Sequence, residues 1–179
     1  KPIYLTKAGT PLVAWLKILP EYNLGKWYTV PTYVGTGFIE AASFSKDGNF
    51  MAFTRNNRVV KKRDRVVNLE IYFRSNEKNK WSEPQAFYLN NKEYSVGHPC
   101  LTAKGDTMFF VSDMPGGYGK ADIYRTIKTE KGVWSKAENL GDKINTEGDE
   151  MFPAYDGNTG VLFFSSNGRF GLGGLDVFI

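Results

Sequence analysis

The sequence has very few of the side chains that build metal centres and disulfide frameworks. Cys100 is the one cysteine and His98 the one histidine among 179 residues. A lone cysteine cannot form an intramolecular disulfide, and a single imidazole excludes a site built from several histidines. The longest apolar run, residues 12–16 and 18–19, is too short to cross a bilayer. We therefore expect no metal, no cofactor and no direct membrane span.

The net charge is small as well, and most of the charged residues are dispersed. The net charge is +4, with one local concentration of basic residues between residues 55 and 65. Such a weak overall charge does not predict a nucleic-acid partner. Aromatic residues make up 15% of the chain and 19 residues are glycine. Aromatic segments interrupted by glycine turns predict an all-β protein.

An internal repeat of about 54 residues runs through the chain. Similar hairpin sequences occur at residues 44–53, 101–110 and 155–164. An acidic residue then opens an apolar-aromatic triplet at Glu70, Asp122 and Asp176, spaced by 52 and 54 residues. The third marker is Trp27, Trp81 and Trp134, spaced by 54 and 53 residues. Three markers with one period indicate a repeated structural unit.

Each unit reads as a four-stranded antiparallel sheet. The first strand is expected after the position of Pro99 and Pro153, a turn at Asp-Gly or Lys-Gly follows, and the aromatic run is the second strand. The acidic triplet is the third strand and the tryptophan segment is the fourth, at the outer edge. Because one small sheet cannot bury both of its faces, radial packing into a β-propeller is the predicted fold.

The predicted boundaries follow from the period. Residues 1–37 are a divergent segment that contains the end of a preceding blade, and residues 38–179 hold blades at about 38–91, 92–145 and 146–179. The last blade lacks a fourth strand. About three units are fewer than a closed propeller needs, so we expect a segment of an incomplete propeller.

Several strings in residues 40–179 resemble a known family. They are FTRNN (53–57), YSVGHP (94–99), SDMPGGYG (112–119), NLG (139–141), INTEG (144–148) and GLGGLD (171–176). The chain resembles the WD-repeat-like propeller domain of OmpA-family cell-envelope proteins of the Bacteroidetes. In that family the propeller lies between a tetratricopeptide region and an OmpA-like peptidoglycan-binding domain, and some members belong to type IX secretion and gliding machinery.

The resemblance implies a periplasmic, outer-membrane-associated scaffold. Its partners would be other envelope proteins of an outer-membrane complex, with peptidoglycan contacted through a domain outside this segment. The sequence itself offers no nucleophile–base pair and no Gly-x-Ser-x-Gly elbow, which favours a protein that is not an enzyme. Two alternatives stay open: the propeller domain of a hydrolase (serine peptidase or glycosidase), and a propeller that binds glycan or peptidoglycan.

Two features are candidate binding sites. A charged excursion between two pairs of valines carries Lys61, Lys62, Arg63 and Arg65, and could contact phosphate-bearing headgroups or an acidic protein face, or could be a solvated hairpin tip. His98 precedes Pro99 at the entrance to an inner strand, where it could contact a ligand or serve only as a hydrogen-bonding group.

Other polar motifs have structural interpretations. Glu70, Asp122 and Asp176 recur in every unit, so we expect them to accept hydrogen bonds from a neighbouring loop rather than to catalyse. The tryptophans should pack blades together. Glycine-rich loops at residues 116–119 and 171–174 lack the partners of a phosphate loop. An acidic stretch at residues 142–150 lacks the order of an EF-hand and reads as a loop between blades.

Overall fold

The computed structural model describes residues 13–14, 30–31, 39–56, 68–78 and 80–179. In these ranges it contains strands and turns but no helix, and every ladder between strands is antiparallel, which confirms the all-β prediction. None of these residues belongs to a helix with the length and apolarity needed to cross a membrane. A short pair, β1 (Val13–Ala14) with β2 (Val30–Pro31), precedes three larger sheets.

The second of these sheets is a four-stranded meander. It consists of β8 (Val96–Leu101), β9 (Thr107–Ser112), β10 (Asp122–Ile127) and β11 (Glu138–Asn139), each paired with the next. Consecutive residues of β9 point to opposite faces of the sheet, yet Met108, Phe109, Phe110 and Val111 are all buried. This sheet is therefore covered on both faces.

The sheets on either side repeat the pattern. The first has β3 (Ile39–Phe44), β4 (Phe50–Asn56) and β5 (Leu69–Glu77), with β6 (Lys80–Trp81) and β7 (Gln85–Ala86) both paired to β5. The third has β12 (Glu150–Asp156), β13 (Val161–Ser166) and β14 (Asp176–Phe178). We call the three sheets blade one, blade two and blade three.

The blades are arranged like a fan. The first strands are neighbours, β3 with β8 and β8 with β12, whereas the described edge strands β7 and β11 do not touch. Sheets that converge at their first strands and diverge at their edges are the arrangement of propeller blades around an axis. The predicted propeller fold of four-stranded blades is therefore confirmed.

The hairpin turns follow the glycine signals. Gly48 and Gly105 have φ of 70° and 69° and close the turns that precede β4 and β9, as predicted. In blade three the turn is longer, and the left-handed residue is Gly160 (φ 73°), whose N–H donates to the Asp156 carbonyl at 2.9 Å. The Asp-Gly pair at residues 156–157 begins this turn without supplying its left-handed glycine.

The inner strands differ from the prediction. We expected the first strand to begin after the proline position, but Pro99 and Pro153 lie inside β8 and β12. In each inner strand the register with the second strand shifts at this point, which marks a β-bulge. A bulge takes residues out of the ladder, so a proline there costs no hydrogen bond.

The outer edges are also more divided than predicted. Trp81 pairs with Asn76 near the end of β5, but a second edge piece, β7, pairs with the middle of that strand. In blade two, Trp134 forms only an isolated bridge with Lys128, and the paired edge strand is β11. In both blades the tryptophan lies where the chain turns back along the third strand. The edge strand that pairs with the middle of the third strand follows a few residues later.

Hydrogen bonds from residues that closely follow the bulges, called here the bulge hydrogen bonds, join the blades. The amide of Leu101 in β8 donates to Ser43 Oγ of blade one at 2.9 Å. At the equivalent positions one blade later, the Tyr155 amide donates to Cys100 Sγ at 3.2 Å. Each bulged strand therefore satisfies one of its free amides through a side chain of the preceding blade, as buried amides require.

Candidate binding cleft beside His98

The bulges of β8 and β12 hold two bulky residues in a left-handed backbone conformation. His98 has φ of 49° and Phe152 has φ of 53°, and each precedes a proline. Large side chains rarely adopt such a φ, and the surrounding structure must maintain it. One support is the His98 amide, which donates to Thr54 Oγ1 of blade one at 2.9 Å.

The two bulges bring their rings together across the blade boundary. The rings of His98 and Phe152 stack with centroids 4.4 Å apart and planes 20° from parallel. Phe152 remains 53% exposed. Sequence comparison aligns these two positions within the repeat, but it does not reveal that they touch.

The environment of His98 favours a neutral ring. Burial lowers the pKa of its imidazole below the usual value because the cation would lose hydration. Its Nδ1 atom is buried and has no hydrogen-bond partner.

A cleft of about 260 Å³ opens beside His98. It crosses all three blades, from Leu69 at the start of β5, past Val111 and Ala121 of blade two, to Met151 in β12. The polar lining comes from Ser95, Ser112 and His98, and the charged lining from Asp113, Lys120 and Asp149. We call the end of the blades that carries these residues the cleft face.

The serines of the cleft are used internally. Ser112 Oγ donates to the Ser95 carbonyl at 2.7 Å, and the Leu69 amide donates to Ser95 Oγ at 3.2 Å. Ser95 in turn donates its amide to Asp113 Oδ1 at 2.6 Å. These bonds join β5, β8 and β9, so the wall of the cleft is fixed before any ligand arrives.

The repeated acidic residues organise the loops of the cleft face. Asp122 accepts hydrogen bonds from the amides of Tyr118 (2.5 Å) and Gly119 (3.2 Å) and from Asn139 Nδ2 (2.8 Å). Asp176 accepts one from the Gly173 amide at 3.1 Å. A Cβ at Gly117 or Gly171 would overlap the adjacent carboxyl group, which explains glycine at both positions.

Glu70 differs from the other two acidic residues. Its carboxyl oxygen accepts a hydrogen bond from the Tyr72 hydroxyl at 2.8 Å, within the same strand. The connection from β4 to β5, residues 57–68, is three residues longer than each of the glycine-rich connections at residues 113–121 and 167–175.

A repeated asparagine was missed by the sequence analysis. Asn90 accepts from the Ile71 amide at 2.9 Å and donates to the Ile71 carbonyl at 2.7 Å. Asn145 makes the same pair of bonds with Ile123, at 2.8 and 3.0 Å. Each asparagine extends the edge of a third strand, and their separation of 55 residues was the available signal.

The acidic stretch before blade three is used for packing. Glu150 is fully buried and accepts hydrogen bonds from the Thr146 amide, the Thr146 hydroxyl and the Ser166 hydroxyl, at 2.8, 2.7 and 2.6 Å. Asp149 Oδ2 accepts from Asn167 Nδ2 at 2.9 Å. Within the described ranges, no three acidic, cysteine or histidine side chains cluster in a way that could hold a metal ion.

Trp134 packs against rings of the preceding blade, whereas Trp81 contacts a ring of its own blade. The ring of Trp134 stacks on Phe73 of blade one with centroids 5.4 Å apart, and Trp81 meets Phe44 edge-on at 6.3 Å. The remaining sequence candidates, Trp27, Lys61, Lys62, Arg63 and Arg65, lie outside the described residues.

A distant structural likeness is found among the solved structures. The crystal structure of TolB from Acinetobacter baumannii is similar over 80% of this chain and 30% of that chain, with 14% sequence identity and a TM-score of 0.48. No protein-family model matches the sequence, and no curated protein matches it. The blade architecture described above rests on the strand pairing of this chain itself.

Proposed function

We propose that the chain is a non-catalytic protein-interaction module of the bacterial cell envelope. It would act in the periplasm as part of an outer-membrane-associated complex. The family resemblance of residues 40–179 supports this location, and type IX secretion or gliding machinery are the specific complexes that the resemblance suggests. Within such a complex the propeller would serve as a scaffold or tether.

The state of His98 is the observation that carries the non-catalytic part of the proposal. Burial lowers the pKa of its imidazole, its Nδ1 is buried, and its ring is stacked on Phe152. The carboxyl groups of Asp122 and Glu150 are each engaged by three hydrogen bonds from their own blade and its loops. Groups held this way stabilise the blades and are not available for acid–base chemistry.

The basic segment with Lys61, Lys62, Arg63 and Arg65 adds to the proposed interaction surface. It connects β4 to β5, and Leu69 at the start of β5 lines the cleft. Asn56, the last residue of β4, pairs with Leu69, so the two strand ends that the segment connects are adjacent at the cleft face. We propose that these cations strengthen binding to an acidic face of a partner protein. Changing Lys61, Lys62 and Arg63 to Glu should reduce the amount of partner that is recovered with the protein. Unchanged recovery would show that the segment is not part of the interaction surface.

The proposal is tested by purifying the affinity-tagged protein from gently solubilised envelopes of its own cells and identifying companions by mass spectrometry. Envelope proteins should be enriched at a constant ratio to the tagged chain, relative to an untagged strain. Recovery of the protein alone from the soluble fraction would contradict the proposal. So would a peptidase or glycosidase activity of the purified chain that disappears in His98→Gln.

A further inference from the structure

The cleft beside His98 has the size and lining of an anchor pocket. Its volume of about 260 Å³ lies just below the range of about 300–1,000 Å³ that holds drug-sized molecules. Leu69, Val111, Ala121 and Met151 give it apolar walls. Such a pocket suits one side chain, and protein interfaces commonly concentrate their binding energy in a few buried anchors of this kind.

The charged residues at the cleft determine which charged group of a ligand can lie next to the anchoring side chain. Asp113 and Asp149 contribute two negative charges and Lys120 one positive charge, so the charged lining is acidic by one unit. Asp113 engages its Oδ1 and Asp149 its Oδ2 in the hydrogen bonds given above. Among the described residues, the second oxygen of each carboxyl group accepts no side-chain or backbone hydrogen bond, and a basic group of a ligand complements this charge.

Resting on the proposed function, we propose that this cleft binds a polypeptide segment of the partner through one apolar side chain with a basic residue beside it. The loop that carries Tyr118 extends the contact, because this side chain is 53% exposed and its backbone is held by Asp122. Tyrosine contributes strongly at protein interfaces because it combines a large ring with a polar hydroxyl group.

The single histidine provides a direct reporter. NMR signals of the His98 imidazole are the only such signals of the chain and come from a residue that lines the cleft. The probe is N-acetyl-leucyl-lysine amide, titrated into the folded chain. It should move the His98 signals saturably. Replacing leucine by glycine should weaken binding at least about fivefold, since truncation of an anchor exceeds about 1 kcal/mol. Replacing lysine by glutamate should weaken it about twofold to fivefold.

Variants assign the effect to the cleft. Met151→Lys places a cation among the apolar walls and should abolish the shift. Asp113→Asn keeps an oxygen that can accept the Ser95 amide but removes the charge, so the lysine probe should bind about twofold more weakly. The matched control is Asp156→Asn, at the opposite end of β12, which should bind like the unmodified chain. If Met151→Lys does not fold, the affinity of Asp113→Asn for the lysine probe alone tests whether the probe binds in the cleft.

Several results would overturn the cleft proposal. They are equal affinity for the three probes, wild-type binding by folded Met151→Lys, or no movement of the His98 signals at any probe concentration. Free leucine binding as tightly as the capped dipeptide would also overturn it, since a small zwitterion would then be the ligand. If the probes fail while envelope partners still co-purify, only this inference is wrong. If both fail, the interaction function is wrong as well.

Discussion

The two interfaces between blades use the same repeat in different ways. Blades one and two meet through aromatic rings: Phe87 lies edge-on to Phe110 at 5.3 Å, and Phe73 is stacked with Trp134. Blades two and three meet through fewer rings: Phe109 contacts Tyr155, and the smaller side chains of Cys100, Val111 and Ile123 pack with Phe164. The turn that leads into blade three is fixed by the hydrogen bonds of Glu150.

The difference shows which positions of the repeat pack the blades together and which positions join them by hydrogen bonds. Position 52 is alanine in blade one, and its equivalent in blade two is Phe109, whose ring lies 5.3 Å from Tyr155 of blade three. The volume lost or gained at one position is compensated across the interface, because interiors are close-packed. The bulge hydrogen bonds, in contrast, occur at the same place in both interfaces.

The largest effect is expected from the aromatic interface. Phe110 is fully buried against Phe87 and Tyr124, so Phe110→Ala should lower the free energy of unfolding by about 3–5 kcal/mol. Urea denaturation measures this. Phe163→Ala, at a ring that is 40% exposed, is the matched control and should cost clearly less, about 1–2 kcal/mol. Equal losses would mean that the first interface does not depend on its rings.

The second-largest effect is expected from the hydrogen bonds of Glu150 in blade three. Glu150→Gln replaces one acceptor oxygen by a donor, and three donors then compete for the remaining oxygen. The expected loss in unfolding free energy is about 1–3 kcal/mol. Glu138→Gln is the control, since its ion pair with Arg125 at 2.6 Å is on the surface and contributes less than about 1 kcal/mol. If Glu150→Gln leaves the free energy of unfolding unchanged, packing alone fixes this turn.

The bulge hydrogen bonds allow the two interfaces to be compared at one position. Ser43→Ala leaves the Leu101 amide without its acceptor and should cost about 1 kcal/mol. Amide hydrogen exchange at Leu101 should accelerate. Cys100→Ser restores the blade-one arrangement at the second interface and should slow exchange at Tyr155. Unchanged exchange in both variants would mean that these bonds do not join the blades.

The smallest effect concerns pH. Burial lowers the pKa of His98 in the folded state, so the unfolded chain binds a proton at a higher pH than the folded chain. The stability from neutral His98 is therefore complete above about pH 6.5 and is lost as the pH falls towards the folded pKa. His98→Gln should flatten the dependence of unfolding free energy on pH between about 7.5 and 5.5. An NMR titration of the imidazole that gives an elevated pKa would contradict the account.

Much of the fold could be predicted because the repeat is local. The hairpin turns depend on Gly48 and Gly105, and the third strands on their acidic-apolar-aromatic triplets, all of which are readable in the sequence. The bulges could not be predicted, because a left-handed His98 or Phe152 breaks the usual conformational preference of its residue type. Contacts between blades support that conformation, among them the hydrogen bond from the His98 amide to Thr54 and the stacking of His98 on Phe152.

The candidate site was only partly predictable for the same reason. His98 stands out as the only imidazole, but its contact with Phe152 joins residues that are 54 positions apart. The cleft depends on strand ends from three blades, and no spacing within one blade encodes it. Asn90 and Asn145 were within reach of the sequence, since they recur almost at the repeat period.

Site-specific photo-crosslinking in the cells that make the protein tests the central claim most directly. A photoreactive phenylalanine analogue replaces Tyr118 on the cleft face or Val133 beyond the opposite end of β10, where the side chains are 53% and 64% exposed. The account predicts a discrete protein adduct from position 118 that Met151→Lys suppresses, and none from position 133. Equal adducts from both positions, or none from position 118, would contradict recognition of a partner through the cleft face.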